Sequence, residues 1–220
     1  MRFTDRREAG RRLAVRLLAL KDQHPVVLAL PRGGVPVGFE IARALAAPLD
    51  LVLVRKIGAP EQEELALGAI ADGETPELVT DPRLVDRLGV SSSYLEEAKS
   101  TALRELERRR HVYLGDRQPA DVAGRTAIVV DDGIATGATM LAALRATRRR
   151  APARLVLAVP VAPPDALKRL RREADEVVCL ATPVDFFAVG QVYHAFPQLR
   201  DAEVIALLDE ARALATATQT

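Results

Sequence analysis

The fold of this chain is decided by the stretch Ala127-Ile128-Val129-Val130-Asp131-Asp132-Gly133-Ile134-Ala135-Thr136-Gly137-Ala138-Thr139-Met140. It begins with a short, continuous apolar run, which predicts a strand buried on both faces of a sheet. Two acids follow where that strand must end, and a helical pattern then begins, with Met140, Leu141 and Leu144 on one face. Because ligands of parallel α/β sheets bind outside the carboxyl ends of the strands, we expect this loop to carry a binding site.

The residue types in the loop indicate what it binds. Backbone amides and the dipole at a helix N-terminus favour an anion such as phosphate, and small side chains let the backbone approach it closely. The hydroxyls of Thr136 and Thr139 add donors. The carboxylates of Asp131 and Asp132 cannot bind the phosphate itself, but they suit a hydroxylated or metal-bridged group such as a ribose with Mg²⁺.

The segment from Ile128 to Thr139 resembles the phosphoribosyl-pyrophosphate (PRPP) loop of the type I phosphoribosyltransferases. That motif has apolar residues, two acids, two variable residues and a phosphate cradle of the Thr-Gly-x-Thr kind. The resemblance implies that Asp131 and Asp132 are catalytic. It also implies that PRPP contacts Asp131, Asp132, Gly133, Ala135, Thr136, Gly137, Ala138 and Thr139. Two other interpretations stay open, an ordinary βα loop with an aspartate helix cap and a paired-acid Mg²⁺ site of a phosphoryl-transfer domain.

A second strand–loop–helix unit precedes this one in the chain. Val26 to Leu30 predicts a buried strand, and a helical pattern runs from Val35 to Ala46. The turn between them, Pro31-Arg32-Gly33-Gly34, resembles the pyrophosphate loop of the same family. The resemblance implies that Arg32, Gly33 and Gly34 bind PRPP, and that the Arg32–Gly33 region contains a non-proline cis peptide. Taken alone, the same residues could form a plain tight turn.

The stretch after the next apolar run, Leu49 to Val54, corresponds to the part of the chain that covers the reaction centre in family members. Leu65 to Ile70 predicts a strand inside it. The resemblance implies that Lys56 is catalytic and contacts the pyrophosphate leaving group. The alternative is a solvated lysine at the end of a strand.

The remaining elements predict an α/β fold with a parallel-core sheet flanked by helices, because buried strands alternate with amphipathic helices. We expect one domain over residues 1–220, with its core at about 25–70 and 121–181. A helical flap is predicted at about 71–120, around a long helix from Tyr94 to Tyr113. A C-terminal hood is predicted at about 182–200, packed with helices at residues 4–20 and 201–214.

The hood contains an aromatic cluster, and three of the five phenylalanines fall between residues 182 and 196. Phe187, Val189 and Gly190 resemble the base pocket of purine-type family members, which implies that Phe187 and Val189 bind the base. The cluster could equally form a small core under the C-terminal helix. Family enzymes that act on 6-oxopurines carry an aspartate where this chain has Ala135, so we expect hypoxanthine and guanine to be poor acceptors.

The implied cofactor is Mg²⁺, held mainly through PRPP, with Asp131 and Asp132 as the nearest protein carboxylates. His194 stands close to where some family members have a further metal-binding acid, so we assign no metal role to the hood. The partners that the resemblance implies are PRPP and a small heterocyclic base, and family members are often homodimers.

Charge and composition favour a cytoplasmic protein without a nucleic-acid or membrane partner. The chain of 220 residues has 31 basic and 30 acidic side chains and a net charge of +1. Its single cysteine, Cys179, lies in an apolar run and is expected to be a buried, inert thiol. We see no signal peptide and no apolar run of about 18 residues that could span a membrane.

The resemblance covers roughly residues 25–196 and is closest to uncharacterised bacterial proteins with a phosphoribosyltransferase domain. It implies a pentosyltransferase that moves the 5-phosphoribosyl group from Mg²⁺-bound PRPP to a nitrogen nucleophile, a nucleobase in most such enzymes, and releases pyrophosphate. Two alternatives remain. One is a PRPP-binding regulatory protein without catalysis, and the other is a Mg²⁺-dependent phosphoryl-transfer enzyme with Asp131 as nucleophile.

Overall fold

The computed structural model describes residues 1–72, 76–115 and 117–217. The elements in chain order are α1 (Arg6–Leu17), β1 (Pro25–Ala29), α2 (Gly34–Leu45), β2 (Leu49–Leu51), β3 (Val54–Ala59), β4 (Gln62–Ala71), β5 (Glu77–Thr80), α3 (Pro82–Arg87), α4 (Ser92–Leu114), β6 (Thr126–Val130), α5 (Ala138–Arg149), β7 (Arg154–Val161), α6 (Pro164–Leu170), β8 (Glu176–Ala181) and α7 (Asp201–Ala217). Short 3₁₀ turns follow α1 and precede α7, at Leu18–Gln23 and Val189–Val192.

The centre of the molecule is a five-stranded sheet in the order β2-β1-β6-β7-β8, and all of its pairings are parallel. This arrangement confirms the predicted α/β fold. The residues of β1 and β6 are all buried, as their continuous apolar sequences indicate. Because β1 and β6 are adjacent and parallel, their carboxyl ends lie side by side at one edge of the sheet.

Alternate residues of the strands pack against two different helix layers. Val27, Ile128 and Val156 pack with α1 and α2, whereas Val26, Val129 and Leu157 pack with α5 and α6. Each strand residue therefore points to one layer according to its position in the period-two pattern. The helix α1 begins at Arg6, two residues after the predicted start, and the Asp5 side chain caps it by accepting a hydrogen bond from the Glu8 amide at 2.8 Å.

A second sheet, here called the flap sheet, is formed by β3, β4 and β5, which pair antiparallel. The predicted strand at Leu65–Ile70 lies inside β4, whereas β3 and β5 were not predicted. The predicted flap boundary at residue 71 divides this sheet, with β3 and β4 before it and β5 after it. Residues 73–75 and 116 of the predicted flap lie outside the described residues. The sheet packs on α5 through Ala69, Ala71 and Val79, against Ala142.

The aromatic cluster of the hood packs against the N-terminal segment. Phe186, Val192 and Tyr193 form a small cluster with Phe3 and Ala9. The Phe3 amide donates to the Val192 carbonyl at 2.8 Å, so the two segments are also joined through their backbones. The helix α7 covers α2 and α4. None of the helices in the described parts of the chain combines the length and the hydropathy of a membrane span.

Candidate functional site

The two loops singled out in the sequence meet at one edge of the central sheet. β1 and β6 are adjacent parallel strands, and the Leu30 amide donates to the Val130 carbonyl at 2.9 Å just beyond them. A Cβ atom on Gly33 would lie 2.1 Å from Oδ2 of Asp132, and one on Gly34 would lie 2.7 Å from the Val130 carbonyl oxygen. Only glycine leaves room for this approach, so the loops are packed directly on each other.

The first loop, residues 30–33, is short and leads at once into α2. It contains a cis peptide between Pro31 and Arg32, one bond before the predicted Arg32–Gly33 region. Gly33 stands at the N-cap of α2, and no side chain caps the helix. The guanidinium of Arg32 is partly exposed and lies 3.8 Å from the Asp201 carboxylate at the start of α7. Gly33, at this end of the helix, packs against the Asp132 side chain.

The second loop, residues 131–137, ends in the predicted phosphate cradle. Gly137 has φ +84° and stands at the N-cap of α5, which again has no side-chain cap. The first amides of α5 have no acceptor inside their own helix. The loop is fixed from outside, because the Ile134 amide donates to the Val161 carbonyl at 2.9 Å and Arg169 donates to the Thr136 carbonyl. Thr136 is exposed and Thr139 is partly buried.

The two acids at the base of this loop have different surroundings. Oδ1 of Asp131 accepts the Asp132 amide at 2.8 Å. Burial and the charge of Asp132 raise the pKa of Asp131 well above its usual range. Burial also raises the pKa of Asp132, but a hydrogen bond and the positive charge of Arg6 oppose that rise. Asp132 is therefore the acid whose ionised form has a cationic partner.

Two residues at this site were not predicted, Arg6 and Tyr193. Nε of Arg6 donates to Oδ2 of Asp132 at 2.7 Å, and the Tyr193 hydroxyl donates to the Asp132 carbonyl at 2.6 Å. Burial raises the pKa of Tyr193, which keeps the phenol protonated as a donor. Arg6 occupies the first position of an ordinary amphipathic helix and is 126 positions from Asp132, so no local sequence signal connects the two residues.

The strand β3 of the flap sheet places Lys56 in the same cavity as Thr136 of the cradle. A cavity of about 440 Å³ lies between the flap sheet and the start of α5, and Lys56 and Thr136 both line it. The walls between them include Gly68, Thr80, Gly137 and Ala138. The predicted contact of Lys56 with a leaving group remains a prediction.

A second cavity, of about 480 Å³, lies beside β2 and away from both loops. Its acids are satisfied within the chain, since Asp50 accepts the Ala120 amide and Asp72 accepts the Arg110 guanidinium at 2.7 Å. Burial raises the pKa of Asp72 despite this partner.

The hood places its two predicted base-binding residues differently. A Cβ atom on Gly133 would lie 2.5 Å from Cγ1 of Val189, so Val189 packs on the loop directly after the acids. Phe187 is 89% exposed, and its amide donates to the Gln191 side chain at 2.9 Å. Ala135 is exposed as well. The structure thus brings Val189 to the loop, while the ring of Phe187 lies at the surface.

The donor set fits a Mg²⁺ ion that is shared with a ligand. Among the described residues, no group of three or more His, Cys, Asp or Glu side chains could hold a metal ion. Asp131 and Asp132 offer carboxylate oxygens at the sheet edge, and Mg²⁺ commonly takes one or two carboxylates and completes its shell with phosphate oxygens and water. The site therefore suits an ion that arrives bound to a polyphosphate.

Comparisons with known proteins identify the family of the chain. Residues 4–196 match the family described as "Phosphoribosyl transferase domain". A Mycobacterium tuberculosis protein named "Putative phosphoribosyl transferase Rv0571c" is 49% identical over 209 residues, which are 95% of this chain and 47% of that protein. The chain thus spans about half the length of this relative.

Two further relatives cover most of both chains. The uracil phosphoribosyltransferase of Lactobacillus delbrueckii subsp. bulgaricus is 30% identical over 171 residues, 74% of this chain and 77% of that protein. The crystal structure of TT1426 from Thermus thermophilus superposes with a TM-score of 0.81 at 48% identity, and the match covers 96% of this chain and 99% of that one. The chain belongs to the phosphoribosyltransferase family and has the type I fold.

Proposed function

We propose that the protein transfers the 5-phosphoribosyl group from Mg²⁺-bound PRPP to a ring nitrogen of a small heterocyclic base. The observation that carries this proposal is the contact between Gly33 and Asp132, which joins a pyrophosphate-type loop to a pair of acids at one sheet edge. The cradle at residues 136–139 lies at the next helix N-terminus. A phosphate, a sugar diol and a pyrophosphate can thus be held by consecutive parts of one surface.

In this proposal each group of PRPP has its own protein partners. The 5′-phosphate binds at the N-terminus of α5, where amides and the hydroxyls of Thr136 and Thr139 can donate. The ribose hydroxyls bind the carboxylates of Asp131 and Asp132. The pyrophosphate binds at Arg32, Gly33 and Gly34.

The chain's own charges favour the bond changes. The bond from ribose C1 to the pyrophosphate oxygen breaks with both electrons on the oxygen, while a nitrogen lone pair forms the new bond to C1. Asp131 and Asp132 stabilise the positive charge that develops on the sugar. Arg32 on the short loop and Lys56 on the flap sheet stabilise the negative charge of the leaving pyrophosphate. Bound Mg²⁺ would add positive charge at the same oxygens.

The acceptor is proposed to bind beside the hood. Val189 packs on Gly133, so a flat base could lie between this side chain and the ribose. Phe187 can reach such a base only if its exposed ring turns inward. The uracil phosphoribosyltransferase among the relatives supports a pyrimidine, and the absence of an acid at Ala135 argues against 6-oxopurines.

A screen for PRPP-dependent release of pyrophosphate, run over purines, pyrimidines and their analogues with Mg²⁺, tests the proposal. We expect release with one base class and little with hypoxanthine or guanine. Binding of Mg²⁺-PRPP without release for any base would favour the regulatory alternative. Failure of millimolar Mg²⁺-PRPP to raise the melting temperature would exclude both, because a ligand of the folded state stabilises it by about 2.7 kcal/mol at a hundred times its Kd.

A further inference from the structure

The side chain of Arg6 is held in place from three directions at the edge of the site. Its Nε donates to Oδ2 of Asp132 at 2.7 Å, and its Nη1 donates to the Pro197 carbonyl at 2.9 Å. The ring of Phe196 lies under the guanidinium, with Cζ 3.7 Å from the ring centroid. Such a cation–π contact restrains the plane of the guanidinium as well as its position.

The ion pair is buried, because only 10% of the Arg6 side chain and 13% of the Asp132 side chain are exposed. A buried ion pair seldom stabilises a fold more than apolar residues would, since both charges lose their water. Arg6 also lies in the first turn of α1, where a cation opposes the helix dipole. Neither burial nor helix stability accounts for an arginine at this position, and Asp132 is the one of its three contacts that belongs to the loop with the paired acids.

Asp132 contacts both the short loop and the hood, so the orientation of its carboxylate affects the geometry of the site. Its Oδ2 atom is packed on Gly33 of the short loop, and its carbonyl accepts the hydroxyl of Tyr193. Tyr193 stacks on Phe196 with ring centroids 4.9 Å apart, so the two hood residues support both the acid and its arginine. The N-terminal helix, the hood and both loops are therefore joined through one carboxylate.

We propose that Arg6 is a positioning residue, which holds the Asp132 carboxylate in the orientation that binds the ribose hydroxyls of PRPP. The inference rests on the proposed function and adds a residue from the N-terminal helix to it. Arg6 acts through Asp132 and does not itself need to contact the sugar. Its loss should therefore weaken ligands that carry the ribose and spare a ligand that lacks it.

The test compares Arg6→Gln with Arg12→Gln by calorimetric titration. Arg12 is a matched control, since it lies on the same helix, pairs with Glu8 and has an aromatic neighbour, the Phe3 ring at 5.4 Å, but does not touch Asp132. The probes are Mg²⁺-PRPP, ribose 5-phosphate and Mg²⁺-pyrophosphate. We expect Arg6→Gln to weaken binding of the two ribose ligands about tenfold. This factor is at the lower end of the loss seen when a residue that only orients a binding side chain is removed. Mg²⁺-pyrophosphate binding should stay unchanged, and Arg12→Gln should alter none of the three.

Two further variants keep the test decisive if Arg6→Gln does not fold. Arg6→Lys retains the charge without the planar fork and should recover part of the lost affinity. Phe196→Leu keeps both charges but removes the ring under Arg6, and should weaken ribose 5-phosphate by a smaller factor. Equal loss for all three probes, or no loss in any variant, would overturn the positioning role while the unaltered protein still binds PRPP. If the unaltered protein binds no PRPP, the proposed function fails and the role of Arg6 fails with it.

Discussion

Two strand–loop–helix units form the site, and they use glycine for different reasons. In the unit of β1 and α2, Gly33 has an ordinary φ of −60°, but both it and Gly34 are too close to the neighbouring unit for a side chain. In the unit of β6 and α5, Gly137 has φ +84°, while the nearest atom to a Cβ there would be 3.5 Å away. At the two helix N-caps, Gly33 is therefore required by packing and Gly137 by backbone conformation.

This difference determines how each loop responds to change. A side chain added to the short loop must displace Asp132 or the backbone of Val130 and Asp131, so damage there spreads to the acids. A side chain added at Gly137 strains only its own backbone. We therefore expect changes in the short loop to disturb both loops, and changes in the cradle to stay local.

The largest effect is expected for Gly34→Ala, for which Gly10→Ala is a matched control. In both, the new Cβ would lie 2.7 Å from a backbone carbonyl oxygen, that of Val130 or of Val37. Both changes should lower the free energy of unfolding by about 2 kcal/mol, as overpacking does. Only Gly34→Ala should abolish stabilisation by Mg²⁺-PRPP, measured by urea unfolding and thermal shift. A Gly34→Ala protein that binds PRPP as well as Gly10→Ala would show that the loops are not coupled.

Replacing each acid by asparagine should change the free energy of unfolding in opposite directions. Asp132→Asn lowers the cost of burying the side chain at this position, because the amide is neutral. It also leaves the Arg6 guanidinium buried without its carboxylate partner. We expect a loss of about 1–2 kcal/mol in unfolding free energy, less than for a fully broken buried pair because asparagine still accepts a hydrogen bond. Asp131→Asn should instead stabilise the free protein near pH 7, because burial and the charge of Asp132 disfavour the ionised carboxyl of Asp131 in the folded state.

The pH dependence of Asp131→Asn checks this assignment. Asp131 has a folded pKa above its unfolded value of 3.8, so its contribution lowers stability as the pH rises through that interval. The gain in the variant should grow as the pH rises above 3.8 and disappear below pH 3.8, where Asp131 is protonated in both states. A gain that did not depend on pH would show that charge is not its cause. Both variants should slow transfer more than they weaken PRPP binding.

A smaller effect is expected for Gly137→Ala, compared with Gly124→Ala. Both glycines have positive φ, +84° and +67°, and neither would place a Cβ in a close contact. Each change should cost about 1 kcal/mol of unfolding free energy, the strain of a left-handed conformation. Only Gly137→Ala should also weaken the binding of ribose 5-phosphate, measured by titrating the unaltered protein and both variants. Equal affinities in the two variants would show that Gly137 is not part of the phosphate-binding cradle.

The smallest change in stability is expected for Thr136→Val. Thr136 is exposed, so the unfolding free energy should stay within about 0.5 kcal/mol of the unaltered protein. Ribose 5-phosphate and PRPP should both bind several-fold more weakly, because a donor is replaced by a methyl group. Thr101→Val, on the exposed surface of α4, is the control and should change neither affinity.

Much of the core could be predicted because its signals are local. β1, β6, β7 and β8 coincide with apolar runs to within one or two residues. Asp5 and Ser91, which are residue types that favour the N-cap position, cap α1 and α4. The flap sheet was predicted less completely, since only the strand at Leu65–Ile70 was expected. The sequence of β3 mixes Arg55 and Lys56 with Gly58, and such strands depend on pairing with partners and not on a continuous apolar face.

The class of the fold, the order of its core elements and the two loops that carry the predicted chemistry all follow from the amino-acid sequence. These features depend on period, composition and spacing within short segments, which local physics can specify. Only the folded chain shows that Arg6 pairs with Asp132, that the aromatic hood packs on Phe3, and that Phe187 lies at the surface. An amphipathic pattern determines which face of an element is buried but not which distant segment covers it, because many pairings bury similar apolar area.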